Sequence, residues 1–231
     1  MFLNIRPFFE RLLAHSCLLC GAPSGNERVC GGCHQSMPFH TLRHCPQCAI
    51  PTPDGQRCGG CLKRPPQFDH SLAAFSYAFP INQSIQALKY NSRLAIAKML
   101  GQYLAQAAKT CPPPDLLIAM PLHPARLRER GFNHASEIAR AVAQSLSLKL
   151  DLNCCQRVRD TPPQVALTYE QRRRNVRGAF TCDSSVAQKR IALIDDVMTT
   201  GTSLDELAAT LKRAGACEVS CWVAARTLPT R

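Results

Sequence analysis

Residues 191–203 constrain the fold of this chain more than any other stretch: Ile191-Ala192-Leu193-Ile194-Asp195-Asp196-Val197-Met198-Thr199-Thr200-Gly201-Thr202-Ser203. Four consecutive apolar residues, Ile191–Ile194, predict a strand buried on both faces, as in parallel sheets. Two carboxylates stand where that strand is expected to end. A hydroxyl-rich turn with one glycine then leads into Leu204, Leu207, Ala208 and Leu211, spaced for one helix face, with Gly215 as the stop. Strand, tight turn and helix in that order predict one unit of an α/β fold.

The chemistry that suits such a turn is capture of a phosphorylated sugar. Loop amides and a helix N-terminus favour an anion through unpaired N–H groups and the helix dipole. Thr199, Thr200, Thr202 and Ser203 add hydroxyl donors, and Gly201 lets the backbone take a positive φ. A phosphate repels Asp195 and Asp196, so the pair needs neutral or cationic partners: two vicinal ribose hydroxyls fit, as does a divalent cation. An Asp-Asp pair alone also suits an ordinary solvated turn, but the complete ordered string does not. That string resembles the phosphoribosyl pyrophosphate (PRPP) signature of type I phosphoribosyltransferases. The resemblance implies that Asp195 and Asp196 hold the ribose hydroxyls and that Met198, Thr199, Thr200, Gly201, Thr202 and Ser203 hold the 5′-phosphate. It also implies a mostly parallel sheet with helices on both faces and the ligand at the carboxyl ends of the strands.

The N-terminal third carries a different constraint. Eight of the 14 cysteines form four Cys-x-x-Cys pairs: Cys17/Cys20, Cys30/Cys33, Cys45/Cys48 and Cys58/Cys61. Each cysteine of the first two pairs recurs 28 positions later, Cys30-Gly31-Gly32-Cys33 returns as Cys58-Gly59-Gly60-Cys61, and Pro23 returns as Pro51. This is a duplicated unit. Paired knuckles place four thiolates at tetrahedral reach, as structural Zn²⁺ requires. Four cysteines also suit an iron cluster. A thioredoxin-type redox motif would come singly in a βαβ setting, which is absent here. Repetition of the whole unit favours two sequential sites over an interleaved cross-brace.

Met1–Leu13 is apolar but broken by Arg6, Pro7, Glu10 and Arg11, which does not suit a secretion signal. No run reaches the ~18–20 apolar residues of a membrane span. A reducing, cytoplasmic location is therefore expected, which makes disulfides unlikely and metal ligation by the cysteines the expectation. Phe2, Ile5, Phe9, Leu12 and Leu13 fall at helical spacing in residues 1–14. That segment is expected to dock on the protein's own body, and a peripheral membrane role is the alternative. The formal net charge is +12. Two zinc tetrathiolates would bring it to about +8, still basic enough for a polyphosphate or a nucleic acid.

Pro65-Pro66 marks a boundary, giving an amphipathic segment (1–14), a cysteine module (15–66) and an α/β domain (67–231). Within the last, residues 68–79 read as a strand. A helix carrying Ile81, Ile85 and Leu88 follows and ends near Lys89-Tyr90. Ser92 is placed to cap a second helix running to Lys109. The apolar run 115–122 reads as a buried strand, followed by His123-Pro124 and a cationic loop with Arg126, Arg128, Arg130, Gly131, Phe132 and Asn133 before a further helix. A loop offering Arg, Gly and Asn at a helix start is a second anion site, suited to pyrophosphate. Residues 157–180 combine six arginines with Thr161-Pro162-Pro163-Gln164, which forbids regular helix there. This predicts a long basic excursion, of the kind that closes over a polyphosphate and excludes water.

Taken in order, the segments extend the resemblance to nearly the whole chain. Paired cysteine knuckles, Pro-Leu-His-Pro with Arg-Gly-Phe-Asn, Thr-x-x-Gln-x-x-Leu, Arg-x-x-Asn, Gly-Ala-Phe and the PRPP signature together resemble the ComF/GntX-like family of competence-associated proteins. The resemblance implies a double zinc ribbon joined to a type I phosphoribosyltransferase-like domain. It implies a pyrophosphate loop at His123, Arg130, Gly131 and Asn133, and a lid with Thr161, Gln164, Arg172 and Asn175. Two structural Zn²⁺ ions, Mg²⁺ accompanying PRPP, and a role in DNA uptake or utilisation follow as expectations. Single-stranded DNA or the uptake machinery would be the macromolecular partner. His134 stands where the family often has Gln. The alternative reading is a non-catalytic single-stranded DNA-binding zinc-ribbon factor for which PRPP is a regulatory ligand. Against it, only 6% of residues are aromatic, and they do not interleave with arginines as a base-stacking groove requires.

Overall fold

The computed structural model describes residues 16–41, 43–91, 93–160 and 169–229. The expected helix over residues 1–14 and the cap at Ser92 lie outside the described residues. Strands β1 (His70–Ser76), β2 (Leu116–Ala119) and β3 (Leu150–Asp151) are joined in one sheet by β6 (Arg190–Met198) and β7 (Glu218–Arg226). The order is β1-β7-β6-β2-β3, and every pairing is parallel. Between β3 and β6, β4 (Cys155–Arg157) and β5 (Phe180–Cys182) form a separate antiparallel ribbon. This is the mostly parallel α/β architecture that the Ile191–Ile194 run implies, and Ile191, Ala192, Leu193 and Ile194 are all buried at its centre.

Short helices α1 (Gly31–Gln35) and α2 (Gly59–Lys63) belong to the cysteine knuckles. Helices α3 (Ile81–Asn91) and α4 (Leu94–Ala108) lead from β1 to β2, and α5 (Pro124–Arg130) and α6 (His134–Leu146) lead from β2 to β3. Helix α7 (Tyr169–Val176) lies between the ribbon strands, and α8 (Thr202–Arg213) leads from β6 to β7. The β1-to-β2 and β2-to-β3 crossovers run one way across the sheet and the β6-to-β7 crossover runs the other. Right-handed crossovers therefore put α4 and α6 on one face and α8 on the opposite one. Helices α4 and α6 pack unusually closely at Gly101, where an added Cβ would lie 2.5 Å from Ala141 Cβ and 2.7 Å from the Ile138 carbonyl oxygen.

The cysteine module covers the open edge of β1. Ser71 N–H donates to the Pro46 carbonyl (3.0 Å), Ser76 N–H to Pro38 (2.8 Å), and His40 N–H to the Ala74 carbonyl (3.0 Å). Phe39 packs on Phe75 with ring centroids 5.2 Å apart. An edge strand that would otherwise present unpaired amides is thereby closed.

Four sequence expectations shift. The strand over 191–194 continues through both aspartates to Met198, because β7 pairs with it up to Met198↔Arg226. The strand over 115–122 shortens to Leu116–Ala119, the length that β6 pairs with. The cationic loop after His123 is largely helix: Pro124 starts α5 with its fixed φ, and Gly131 ends it at φ 75°. The basic excursion 157–180 contains α7 and is anchored at its base by the β4–β5 ribbon.

Candidate functional site

At the carboxyl ends of the parallel strands, the chain after β2 turns toward β3 and the chain after β6 turns toward β7. The β6/β2 boundary is thus the topological switch point, where connections diverge and leave a crevice. Asp195 and Asp196 lie near the carboxyl end of β6, three and two residues before its last residue Met198, beside that boundary. Asp195 Oδ1 accepts from Asp196 N–H (2.9 Å) and Asp196 Oδ1 from Val197 N–H (2.7 Å).

Asp196 is buried and its Oδ2 lies 2.6 Å from Lys89 Nζ, an ion-pair contact, and 3.5 Å from His134 Nε2. Burial alone would raise the Asp196 carboxyl, but His134 and Lys89 hold it below the ordinary range. His134 is itself pushed down, mainly by burial and further by Lys89 and Arg130, against the pull of Asp196. We therefore assign Lys89 as the counter-ion of Asp196. Burial favours the neutral Lys89 amine, yet the Asp196 carboxylate lifts its pKa above the usual value. Asp195 is pushed up to about 8, first by burial and then by the charge of Asp196. Ligand atoms of His134, Asp195 and Asp196 converge within 4.8 Å, a donor set that fits a divalent cation.

Lys89 is the residue that the sequence reading missed. The signal was present: Ile81, Ile85, Leu88 and Lys89 share one helical face, and a lysine on a buried face requires an acid opposite. His134 was noted only as a departure, yet it links the acid pair to Arg130, whose Nη1 lies 3.4 Å from His134 Nδ1. Arg130 also stacks over Tyr90, 5.9 Å from its ring centroid.

The turn after β6 places Gly201 at φ 77° as the cap of α8, with no side-chain acceptor at that cap. Thr200 Oγ1 and Thr202 Oγ1 lie 2.7 Å apart. Thr199 and Thr200 are exposed, Thr202 and Met198 are buried, and Ser203 stands in the first turn of α8. A cavity of about 550 Å³ at this helix start is lined by Arg64, Arg174, Arg177, Thr202, Asp205 and Glu206. A second, of about 610 Å³, shares Arg64, Thr202 and Asp205 and extends along Thr199–Gly201 to Cys48, Cys58 and Cys61. The second cysteine knuckle therefore forms one wall of the turn.

Arg226, at the end of β7 and 3% exposed, ties these parts together. Its Nε donates to the Cys48 carbonyl (2.7 Å), and its Nη1 donates to the carbonyls of Met198 (2.8 Å), Thr199 and Thr227.

The other expected pyrophosphate residues divide by role. His123 Nδ1 accepts from Ala125 N–H (3.3 Å) as the cap of α5. Asn133 caps α6 through Ala135 N–H (3.0 Å), and its Nδ2 donates to the Met120 carbonyl at the end of β2 (3.0 Å). Both side chains, with Gly131, fix the backbone around Arg130. Of the expected lid, Asn175 lies half-buried on α7. Thr161, Gln164 and the side chain of Arg172 lie outside the described residues.

The eight paired cysteines form two sequential groups, Cys17, Cys20, Cys30, Cys33 and Cys45, Cys48, Cys58, Cys61, with the sulfurs of each within 4.8 Å of one another. Cys20 and Cys30 sulfurs are 3.7 Å apart and Cys48 and Cys58 sulfurs 3.5 Å. Zn–S bonds of ~2.3 Å in a tetrahedron require ~3.8 Å between sulfurs, so both sets fit the ion. Among the described residues, no helix is long and apolar enough to cross a membrane.

Comparison with known proteins matches residues 8–62 to a Double zinc ribbon domain and residues 132–229 to a Phosphoribosyl transferase domain. The chain is 33% identical over 221 residues to DNA utilization protein YhgH of Escherichia coli O157:H7, covering 92% of this chain and 97% of that protein. It is 29% identical over 206 residues to Competence protein F of Haemophilus influenzae, covering 85% and 84%. Among solved structures, the allosteric regulatory enzyme of purine biosynthesis aligns at 22% identity with a TM-score of 0.38, over 55% of this chain and 25% of that one.

Proposed function

This chain belongs to the ComF-like family of proteins joining a double zinc ribbon to a phosphoribosyltransferase domain, and on that premise we propose that it binds PRPP and acts in DNA uptake or utilisation. The observation that carries the proposal is the placing of Asp195 and Asp196 at the β6/β2 switch point, directly before a Gly201-capped helix start. In this reading the two carboxylates accept hydrogen bonds from the ribose hydroxyls. The turn Met198–Ser203 takes the 5′-phosphate, with Arg64, Arg174 and Arg177 adding positive charge at the same helix end. Lys89 and Arg130 face the pyrophosphate. Mg²⁺ bound with PRPP would neutralise that group further.

Lys89 then has two partners. Without ligand it neutralises Asp196; with ligand, the ribose hydroxyls and pyrophosphate take over the carboxylate and the ammonium respectively. If a phosphoribosyl group is transferred, the C1–O bond breaks through an oxocarbenium-like state as in other glycosyl transfers. The chain's contribution is orientation and stabilisation of the charge that leaves with pyrophosphate.

Calorimetric titration of the zinc-loaded protein with PRPP and Mg²⁺ tests the binding claim. Asp195→Asn with Asp196→Asn removes two charged acceptors, each worth about 1.5–3 kcal/mol, so affinity is expected to fall roughly 100-fold or more. Unchanged affinity would remove the acid pair from the site. Pyrophosphate release measured across nucleobases and single-stranded nucleic acids then separates transfer from binding alone. Binding without release in every case supports the regulatory-ligand reading.

A further inference from the structure

Six cysteines lie outside the two metal sets, and three of them cluster at the base of the basic excursion: Cys154, Cys155 and Cys182. Cys155 and Cys182 are direct cross-strand partners in the β4–β5 ribbon, with their sulfurs 3.3 Å apart. The ladder fixes what kind of pair they are. Asp183 N–H donates to the Cys154 carbonyl (3.0 Å) and Val158 N–H to the Ala179 carbonyl (2.8 Å). Antiparallel partners alternate between hydrogen-bonded and non-hydrogen-bonded pairs, so 154/183, 156/181 and 158/179 are of the first kind and 155/182 is of the second. Non-hydrogen-bonded partners stand at Cα separations of ~4.5 Å with their side chains close, inside the ~4.4–6.8 Å range that a disulfide spans. Bond formation needs side-chain rotation and no movement of the ladder.

We propose that Cys155 and Cys182 are a redox-modification site that closes to a disulfide under hydrogen peroxide and so cross-links the base of the arginine-bearing excursion. Cys182 is half-buried and Cys155 buried, so the peroxide reaches Cys182 first. Oxygen transfer to the Cys182 sulfur gives a sulfenic acid and one water. The Cys155 sulfur then attacks the Cys182 sulfur, its thiol proton joins the departing hydroxyl, and a second water leaves. Two thiols and one peroxide become one disulfide and two waters, and a dithiol reverses the change by exchange. Burial, and after it the nearby Cys154, Asp183 and Asp151, hold the Cys182 thiol above its ordinary range against a hydrogen bond from Cys155. Oxidation is accordingly slower than for a free exposed thiol, and mildly alkaline buffer accelerates it.

The consequence is local. The bridge closes the chain from 155 to 182, the segment that carries Arg174 and Arg177 to the start of α8. It leaves β6 and the acid pair untouched. The inference stands independently of PRPP binding.

The test uses the full-length zinc-loaded protein treated with hydrogen peroxide at about pH 8, alkylated with N-ethylmaleimide and mapped by peptide mass spectrometry. The expected product is a peptide pair joined through Cys155 and Cys182, two hydrogens lighter, restored by dithiothreitol and absent in Cys182→Ser. Zinc release is followed in parallel with a chromophoric chelator, so that oxidation of the metal thiolates is seen separately. The proposal is overturned if both cysteines stay alkylatable while the zinc thiolates oxidise. It is equally overturned if Cys155 bridges to Cys154, 4.0 Å away, or if Cys182 proceeds to sulfinic acid unbridged.

Discussion

Replacing Arg226 by Met tests whether the second cysteine set is coupled to the turn after β6, proposed to take the phosphate, or merely adjacent to it. One buried guanidinium holds four backbone carbonyls, those of Cys48, Met198, Thr199 and Thr227. Methionine fills much of the volume and removes every donor. Thr199 is exposed and Thr227 half-buried, so water can replace the guanidinium there; the buried Cys48 carbonyl loses its partner outright, and the buried Met198 carbonyl loses its charged donor but keeps the Thr227 N–H (3.1 Å). Two charged hydrogen bonds that water cannot replace, at about 1.5–3 kcal/mol each and partly relieved by relaxation, give an expected loss of about 3–4 kcal/mol. That is below the ~5–15 kcal/mol stability of a typical domain, so the variant should fold. Its melting temperature should fall by roughly 6–15 °C. The informative readouts are zinc retention and PRPP binding, the two properties that the proposed coupling through Arg226 would link. Competition with a chromophoric chelator should show one of two zinc ions released faster, the other at the wild-type rate. PRPP affinity should drop about tenfold, equivalent to ~1.4 kcal/mol. Because linkage is reciprocal, saturating PRPP should raise the affinity for that same zinc in the wild type and not in the variant. Arg226→Lys keeps the charge but loses the planar fork, and should fall between the two. A variant with the full stability loss, but with zinc release and PRPP affinity unchanged, would falsify the coupling and leave Arg226 a packing residue.

Asp195 has a pKa pushed up to about 8, so the folded chain holds a proton that the unfolded chain loses near pH 4. Its contribution to stability is present below that lower pH and is lost as pH rises toward 8. PRPP bound through the carboxylate releases the proton, so calorimetry in buffers of different ionisation enthalpy at pH 7 should show it, and affinity should rise between pH 6 and 8. Lys89→Met leaves Asp196 buried without its counter-ion; about 3–5 kcal/mol of stability should be lost in denaturant melts at neutral pH, with Asp196→Asn in the same chain restoring much of it. Gly101→Ala forces a methyl against Ala141 and the Ile138 carbonyl, and should cost about 1–3 kcal/mol in the same melts without altering PRPP affinity.

What the sequence made legible follows the distance along the chain over which each interaction acts. The β6–turn–α8 unit reads directly from Ile191–Ser203 because its partners are neighbours, and the cysteine repeat reads directly because four thiolates within 17 residues need no tertiary information. The extension of β6 through Asp195 to Met198 was not legible. Carboxylates disfavour strands by propensity, and only pairing with β7 overrides that preference. Lys89 and Asp196, and Arg226 and Cys48, are pairs whose members sit in separate elements, and each residue alone has an ordinary local explanation. Lys89 stands in the last turn of a helix; Arg226 ends a strand. What betrays each is a conflict rather than a motif: a cation on a face, or at the end of a run, that is otherwise buried. In the structure β7 is a largely buried strand with Arg226 at its end, and α3 carries Lys89 in its last turn on the face of buried Ile81, Ile85 and Leu88. In both cases the fold resolves the conflict at the same crevice, one cation meeting Asp196 and the other the carbonyls of the turn that follows it. A half-buried lysine and a buried arginine, converging on one crevice from distant parts of the chain, are expensive to assemble for stability alone. They are what a site needs if it must hold two carboxylates and a phosphate turn in register before any ligand arrives.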